Sequence, residues 1–173
     1  MAQTLVGIVM GSDSDLPVMK EAYDVLKELG IESEMVISSA HRAPGQTADY
    51  ARSAAERGLA VIIAGAGLAA HLPGVIAANT PLPVIGVPIK SGPLNGADAL
   101  YSIVQMPPGV PVAAVAINGA KNAGILAAQI IGAGDRPVRD NIIAYKENMT
   151  RKALEKNVSL AALGPEEYLR KNG

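Results

Sequence analysis

The chain contains no cysteine, so it can build neither a disulfide framework nor a thiolate metal site. That absence fits a reducing compartment, and a cytoplasmic protein is expected. Tryptophan and phenylalanine are missing as well, leaving five tyrosines among 173 residues. With so few aromatic faces, a site that sandwiches a flavin ring is disfavoured. No sign of charge dominates: 15 Lys and Arg stand against 16 Asp and Glu, a formal net charge of −1. Binding along a phosphate backbone draws on a surplus of cations, so a nucleic-acid partner is not expected. No apolar run reaches the roughly 18 residues of a membrane helix, and Met1-Ala2-Gln3-Thr4 lacks the basic start of a secretory signal. There is no Gly-x-Ser-x-Gly elbow, no Walker lysine motif and no full dinucleotide fingerprint, which argues against a serine nucleophile of that type, ATP or NAD.

What is present is largely apolar. Hydrophobic residues make up 49 % and charged residues 18 %. The length suits one well-cored domain and is short for two. So high an apolar fraction with so few charges implies that some outer surface is also covered, and a homo-oligomer is expected.

The chain opens on an unalternating apolar run, Leu5 to Met10, as expected of a strand covered on both faces. Gly11-Ser12-Asp13-Ser14-Asp15 follows, then a helical stripe of Val18, Ala22, Val25 and Leu29 ending at Gly30. Ile31 to Ile37 reads as a second strand, partly alternating and therefore at an edge. A polar turn, Ser38 to Pro44, leads into a helix to about Arg57, closed by Gly58. Ala60 to Ala64 is a third strand. A glycine- and alanine-rich turn from Gly65 to Gly74 then enters a short helix ending near Asn79. Pro83 to Val87 and Val112 to Ile117 read as strands four and five, with a helix over Ala97–Gln105 between them. An Ala-rich helix from Gly119 to about Ala133 is apolar nearly all round, so burial partly by another subunit is expected. A helix capped by Asp135 runs to about Asn157, with Val138, Ile142, Tyr145 and Met149 on one stripe, and a short helix follows Gly164-Pro165.

Strands alternating with helices make a three-layer α/β domain with a five-stranded parallel sheet. With the second strand at an edge, the flavodoxin-like order 2-1-3-4-5 is expected. Residues 1–134 are expected to form the catalytic domain, with 135–173 a helical extension of the same domain that packs on neighbouring subunits. That order opens the turns after strands one, two and three on one rim, and those turns hold the chemistry-bearing residues.

The first turn offers backbone N–H groups and hydroxyls at a helix start, a generic anion site, or else plain capping by Ser14 or Asp15. An acidic group would repel a phosphate, so Asp15 suits sugar hydroxyls better. Arg42 can fork onto a phosphate or lie as an ordinary surface arginine. His41 can move protons near neutral pH, or serve as a hydrogen-bonded structural histidine. His71 can bind a carboxylate or fix its loop; the residues leave both open. Gly65 and Gly67 let backbone approach a ligand or simply make the turn. Two histidines in separate turns without a carboxylate cluster make a poor metal site, and none is expected.

The series MGSDSD, SAHRAP, AGAGLAAHLPGVIAANT, PVIGVP and LYSIVQMPPGVPV resembles the N5-carboxyaminoimidazole ribonucleotide mutase (PurE) family of bacterial purine biosynthesis, across about residues 5–135. The resemblance implies an octameric enzyme without metal or organic cofactor, its sites built at subunit junctions. It implies that the N5-carboxylated nucleotide is rearranged to 4-carboxy-5-aminoimidazole ribonucleotide by loss, retention and re-addition of CO2 at C4. By the same resemblance His41 is the acid/base, and Ser12, Asp15 and Arg42 bind the ribonucleotide; Ser14, Ser39, Ala66, Gly67, His71 and Leu72 are further candidates for substrate contact. Leu68 departs from the family, where a second small residue, often glycine, is expected. The alternatives are a carboxylase using free CO2 and, in other classes, a mononucleotide-binding flavodoxin-like module or a structural oligomerisation domain.

Overall fold

Four apolar runs and one partly alternating segment become five parallel strands in a computed structural model that describes residues 5–172. The Met1–Thr4 stretch, expected to hold no signal, lies outside the described residues. The strands are β1 (Val6–Met10), β2 (Ser33–Ile37), β3 (Val61–Gly67), β4 (Val84–Ile89) and β5 (Ala113–Ala114), in the order β2-β1-β3-β4-β5. The helices are α1 (Leu16–Glu28), α2 (Pro44–Ser53), α3 (Leu72–Ala77), α4 (Ala97–Val104), α5 (Ala120–Gly132), α6 (Arg136–Leu163) and α7 (Pro165–Asn172). The expected sheet order and the C-terminal helices are both present. Among the described residues no helix is long and apolar enough to cross a membrane.

Alternation along the strands builds two cores. Ile8, Met10, Val61, Ile63, Ile85 and Val87 face α1 and α5. Val9, Ile62, Ala64, Ala66 and Val84 face α2, α3 and α4. Both faces of the central strands are thus buried, which is why those strands read as solid apolar runs. The α1–α5 layer is close-packed because Gly124 leaves no side chain between the helices: a Cβ there would lie 2.5 Å from Val25 Cγ1 and 2.9 Å from the Ala22 carbonyl oxygen.

Several element boundaries differ from the sequence pattern, most clearly those of β3, β5, α2 and α6. β3 runs on through Gly65, Ala66 and Gly67, which pair with Val87, Pro88 and Ile89 of β4. Those small residues are not the start of the turn; Gly65 makes room for the Met19 side chain, which a Cβ would overlap. β5 is cut to two exposed residues instead of a buried six-residue strand. Beyond it the chain still bonds to β4, but Val115 N donates to Gly86 O and Asn118 N to Pro88 O, a spacing of three residues that no regular ladder allows. α2 stops at Ser53, and turns carry the chain to Gly58. α6 continues to Leu163, because no glycine or proline interrupts it before Gly164-Pro165.

α5 owes much of its cover to its own chain, lying between α1 and α6. Arg139 of α6 donates to the Gly132 and Ala133 carbonyls at the end of α5, at 2.8 and 2.6 Å. Asp135 caps α6 as expected, its carboxylate accepting from Val138 N at 3.0 Å. Val138 and Ile142 are buried, whereas Met149 is 56 % exposed, so the far part of α6 leaves the body of the domain.

Candidate active site

The carboxyl ends of β1, β2 and β3 open together, and their turns line one cleft of about 430 Å³. Each of the ten residues singled out in the sequence lines it: Ser12, Ser14, Asp15, Ser39, His41, Arg42, Ala66, Gly67, His71 and Leu72. The volume falls in the range of small-molecule sites, about 300–1,000 Å³.

After β1, Ser12 stands in extended backbone and caps a single 3₁₀ turn, Asp13–Asp15. Its hydroxyl oxygen accepts from Ser14 N at 3.3 Å and from Ser14 Oγ at 3.0 Å. Asp15 precedes α1 yet makes no side-chain cap bond to it. The carboxylate is therefore not spent on the helix end, although Asp15 is only 8 % exposed. Burial raises its pKa above the usual carboxylate value, with the Asp13 charge adding to the rise and the Ser12 and Gly11 backbone opposing it.

The β2 turn divides its two serines. Ser38 is buried and its hydroxyl pairs with Thr47 Oγ1 at 2.8 Å, locking the turn onto α2. Ser39 faces the cleft and accepts from Arg42 N and Arg42 Nε, both at 3.3 Å. Arg42 Nη2 also donates to the Gly11 carbonyl at 3.1 Å, tying the second turn to the first. Two of five guanidinium N–H groups are thereby used, and three are left for a ligand.

The histidines of the second and third turns come together. The His41 and His71 ring centroids are 5.2 Å apart, with the planes at 35°. His71 stands at the N-terminus of α3 without a side-chain cap bond. Both imidazoles are exposed to the cleft. Leu72 is 2 % exposed and belongs to the floor. No group of three or more His, Cys, Asp or Glu that could hold a metal ion occurs among the described residues. The arrangement offers proton transfer at one place and a guanidinium with hydroxyls beside it, with backbone and apolar side chains closing the rest.

Five lining residues lie outside those ten: Gly11, Ala40, Leu68, Ala69 and Ser91, with Leu68 visible in the sequence only as an anomaly. Ser91, from the loop after β4, lines the cleft, yet its Oγ is buried with no hydrogen-bond partner among the described residues. Ligands sit beyond the carboxyl ends of parallel strands, and that rim includes the loop after β4 as well as the turns after β1, β2 and β3. Leu68 has φ 54°, a left-handed conformation costing a leucine roughly 1–2 kcal/mol. That is the backbone a glycine would take easily, which accounts for the small residue expected there.

Comparison with known proteins shows the family and the fold. The AIR carboxylase family model matches residues 5–152. The N5-carboxyaminoimidazole ribonucleotide mutase of Thermotoga maritima is 60 % identical over 95 % of this chain and 96 % of that protein. The protein of the same name from Pyrococcus horikoshii is 58 % identical over 95 % and 93 %. The crystal structure of Treponema denticola PurE superposes with a TM-score of 0.81 at 32 % identity, covering 90 % of this chain and 98 % of that one. The chain belongs to the AIR carboxylase family.

Proposed function

We propose that this protein is an N5-carboxyaminoimidazole ribonucleotide mutase of purine biosynthesis, an isomerase that moves a carboxyl group from the exocyclic nitrogen to ring carbon C4. The observation that carries the reading is the pair of imidazoles 5.2 Å apart beside Arg42, in a chain 60 % identical to a mutase of that name.

In this reading Arg42 takes the nucleotide phosphate with its free N–H groups, and the Ser12, Ser14 and Ser39 hydroxyls supply further bonds at that end. Asp15 accepts from ribose hydroxyls, so its buried charge finds partners when the nucleotide arrives. His41 works at the base. As the nitrogen–carboxyl bond breaks and CO2 forms, the His41 imidazolium gives its proton to the nitrogen. CO2 then bonds to C4, and the C4 proton passes to the now neutral imidazole. Proton and carboxyl group are both conserved, and His41 ends as it began. A positioned acid/base of this kind contributes about 10²–10⁴-fold. His71 is placed to bind the migrating carboxylate, and Ala66, Gly67 and Leu72 supply the apolar floor. The working unit is a cytoplasmic homo-oligomer, an octamer by family likeness, with 135–173 reaching neighbouring subunits.

The family's description as AIR carboxylase favours one rival, direct carboxylation of aminoimidazole ribonucleotide by CO2. The two substrates, supplied separately, decide between them. Conversion of the carboxyamino nucleotide without added bicarbonate is expected. Product formed only from aminoimidazole ribonucleotide and CO2 would establish the carboxylase instead.

A further inference from the structure

The side-chain hydrogen bonds in and beside the β2–α2 turn involve Ser38, Ser39, Arg42 and Thr47, and among the described residues none involves the His41 imidazole. The place of that ring in the cleft is therefore set by the backbone that carries it. Local sequence defines this backbone poorly. α2 starts at Ala43 without a side-chain cap, and Pro44-Gly45 opens it. A side-chain cap is what ordinarily fixes a helix start, and glycine is a weak helix former.

Thr47, one turn into α2, supplies what is missing. It is fully buried, and Ser38 is 2 % exposed. Thr47 Oγ1 donates to the Ala43 carbonyl at 3.2 Å and lies 2.8 Å from Ser38 Oγ. A hydroxyl has one proton to give, so with the Thr47 proton on Ala43 the Ser38 hydroxyl donates to Thr47. The chain Ser38–Thr47–Ala43 thus joins the two ends of the turn, with Ser39, Ala40, His41 and Arg42 between them. Ser38 N in turn donates to the Met10 carbonyl at 2.8 Å, which fixes the entry end to β1. α2 itself is docked by separate means: Ala51 is buried, and Tyr50 Oη donates to Glu34 of β2 at 2.8 Å. Loss of the Thr47 hydroxyl therefore frees the turn and not the helix. Arg42 has side-chain anchors of its own at Ser39 and Gly11. His41 depends on the turn alone.

We propose that Thr47 is a positioning residue for the reaction, its buried hydroxyl holding the turn so that the His41 imidazole meets the base of the substrate. It acts from behind the cleft, which it does not line. The inference rests on the mutase reading, in which His41 moves the protons.

The test compares turnover of the carboxyamino nucleotide by wild type, Thr47→Val and Thr47→Ser. Thr47→Val keeps the shape and loses the hydroxyl, and kcat is expected to fall by about 10- to 100-fold, the scale of a misplaced catalytic group. Product affinity should change far less, because Arg42 keeps its own anchors. Thr47→Ser keeps the hydroxyl and should restore turnover. Introduced into His41→Asn, Thr47→Val should cost nothing further, whereas a merely structural role would cost the same factor in both backgrounds. Should Thr47→Val fail to fold, Ser38→Ala decides in its place, since it cuts the same chain and leaves Thr47 bonded to Ala43. The chain has two histidines, so the imidazole ¹³C–¹H spectrum gives a readout independent of the reaction: the signal absent from His41→Asn should move in Thr47→Val. Wild-type kcat in both Thr47→Val and Ser38→Ala overturns the proposal. So does an equal loss in Thr47→Ser, which would assign the effect to the methyl, an affinity loss as large as the kcat loss, or an unmoved His41 signal. If wild type forms no product, the mutase reading has failed, and the imidazole spectrum still decides whether Thr47 places His41.

Discussion

Arg42 binds parts of its own protein with two groups and still has others to give, so its removal acts twice. Arg42→Ala deletes the group proposed to bind phosphate and releases the link between Ser39 and the Gly11 carbonyl. Loss of a charge-assisted hydrogen bond is on the order of 1.5–3 kcal/mol, about 10- to 100-fold in affinity. Calorimetric titration with the product nucleotide should show that weakening; unchanged affinity would remove Arg42 from the site. Asp15 gives a prediction of opposite sign for stability. Its folded pKa lies above 3.8, so folding favours the protonated form. The ionised carboxylate therefore weakens the fold at neutral pH, and this penalty fades as pH falls through the folded pKa towards 3.8. Asp15→Asn should melt at or above the wild-type temperature at pH 7, lose that advantage as the solution is acidified through that window, and bind nucleotide less well. A lower melting temperature by the same margin at every pH would contradict the buried-charge account. At this scale much of the site was legible, because Ser, Asp, His and Arg at strand ends announce themselves. Ser91 was not legible: a lone serine in a loop carries no pattern, and only its packing against Gly67 makes it visible.

Elements are where sequence pattern and structure part most. β1 and β4 read directly as apolar runs, since both faces are covered. The end of β3 is not legible in the sequence, because glycine serves turns and close approaches alike. Only the position of Met19 on α1 shows that Gly65 belongs to the second use. β5 failed for a complementary reason: its residues are apolar enough for a strand, but the backbone bonds that define one are spaced by the route to Asn118. The α1–α5 contact yields the prediction proper to this scale. Gly124→Ala pushes a methyl against the Ala22 backbone, which cannot move aside as a side chain would. A loss of about 1–3 kcal/mol is expected, read as a lower urea midpoint with an unchanged slope. A midpoint equal to wild type would mean that the helices separate easily.

The whole molecule shows surface that one chain leaves uncovered. Along the outer half of α6, Leu154 and Val158 are 61 % and 69 % exposed, and the groove they line, of about 660 Å³, lies on a single helix stripe with no histidine near it. The proposed contact of residues 135–173 with neighbouring subunits would cover it. Replacing both residues with aspartate should lower the mass measured by sedimentation, since each apolar side chain buried in a contact is worth about 1.5–3 kcal/mol. An unchanged mass would assign the oligomer contacts elsewhere. Sheet order and rim were legible from the chain because topology follows from which strands are covered. What the far half of α6 touches was not, since an exposed apolar stripe names no partner. The proposed chemistry turns on neither surface nor core but on one imidazole. Its most direct test is the conversion of N5-carboxyaminoimidazole ribonucleotide to its C4-carboxylated isomer, followed spectroscopically with wild type and with His41→Asn at equal folded concentration. Turnover by wild type, and a loss of about 10²–10⁴-fold in a variant that still binds product, is the predicted result. Turnover near wild type in His41→Asn would contradict it.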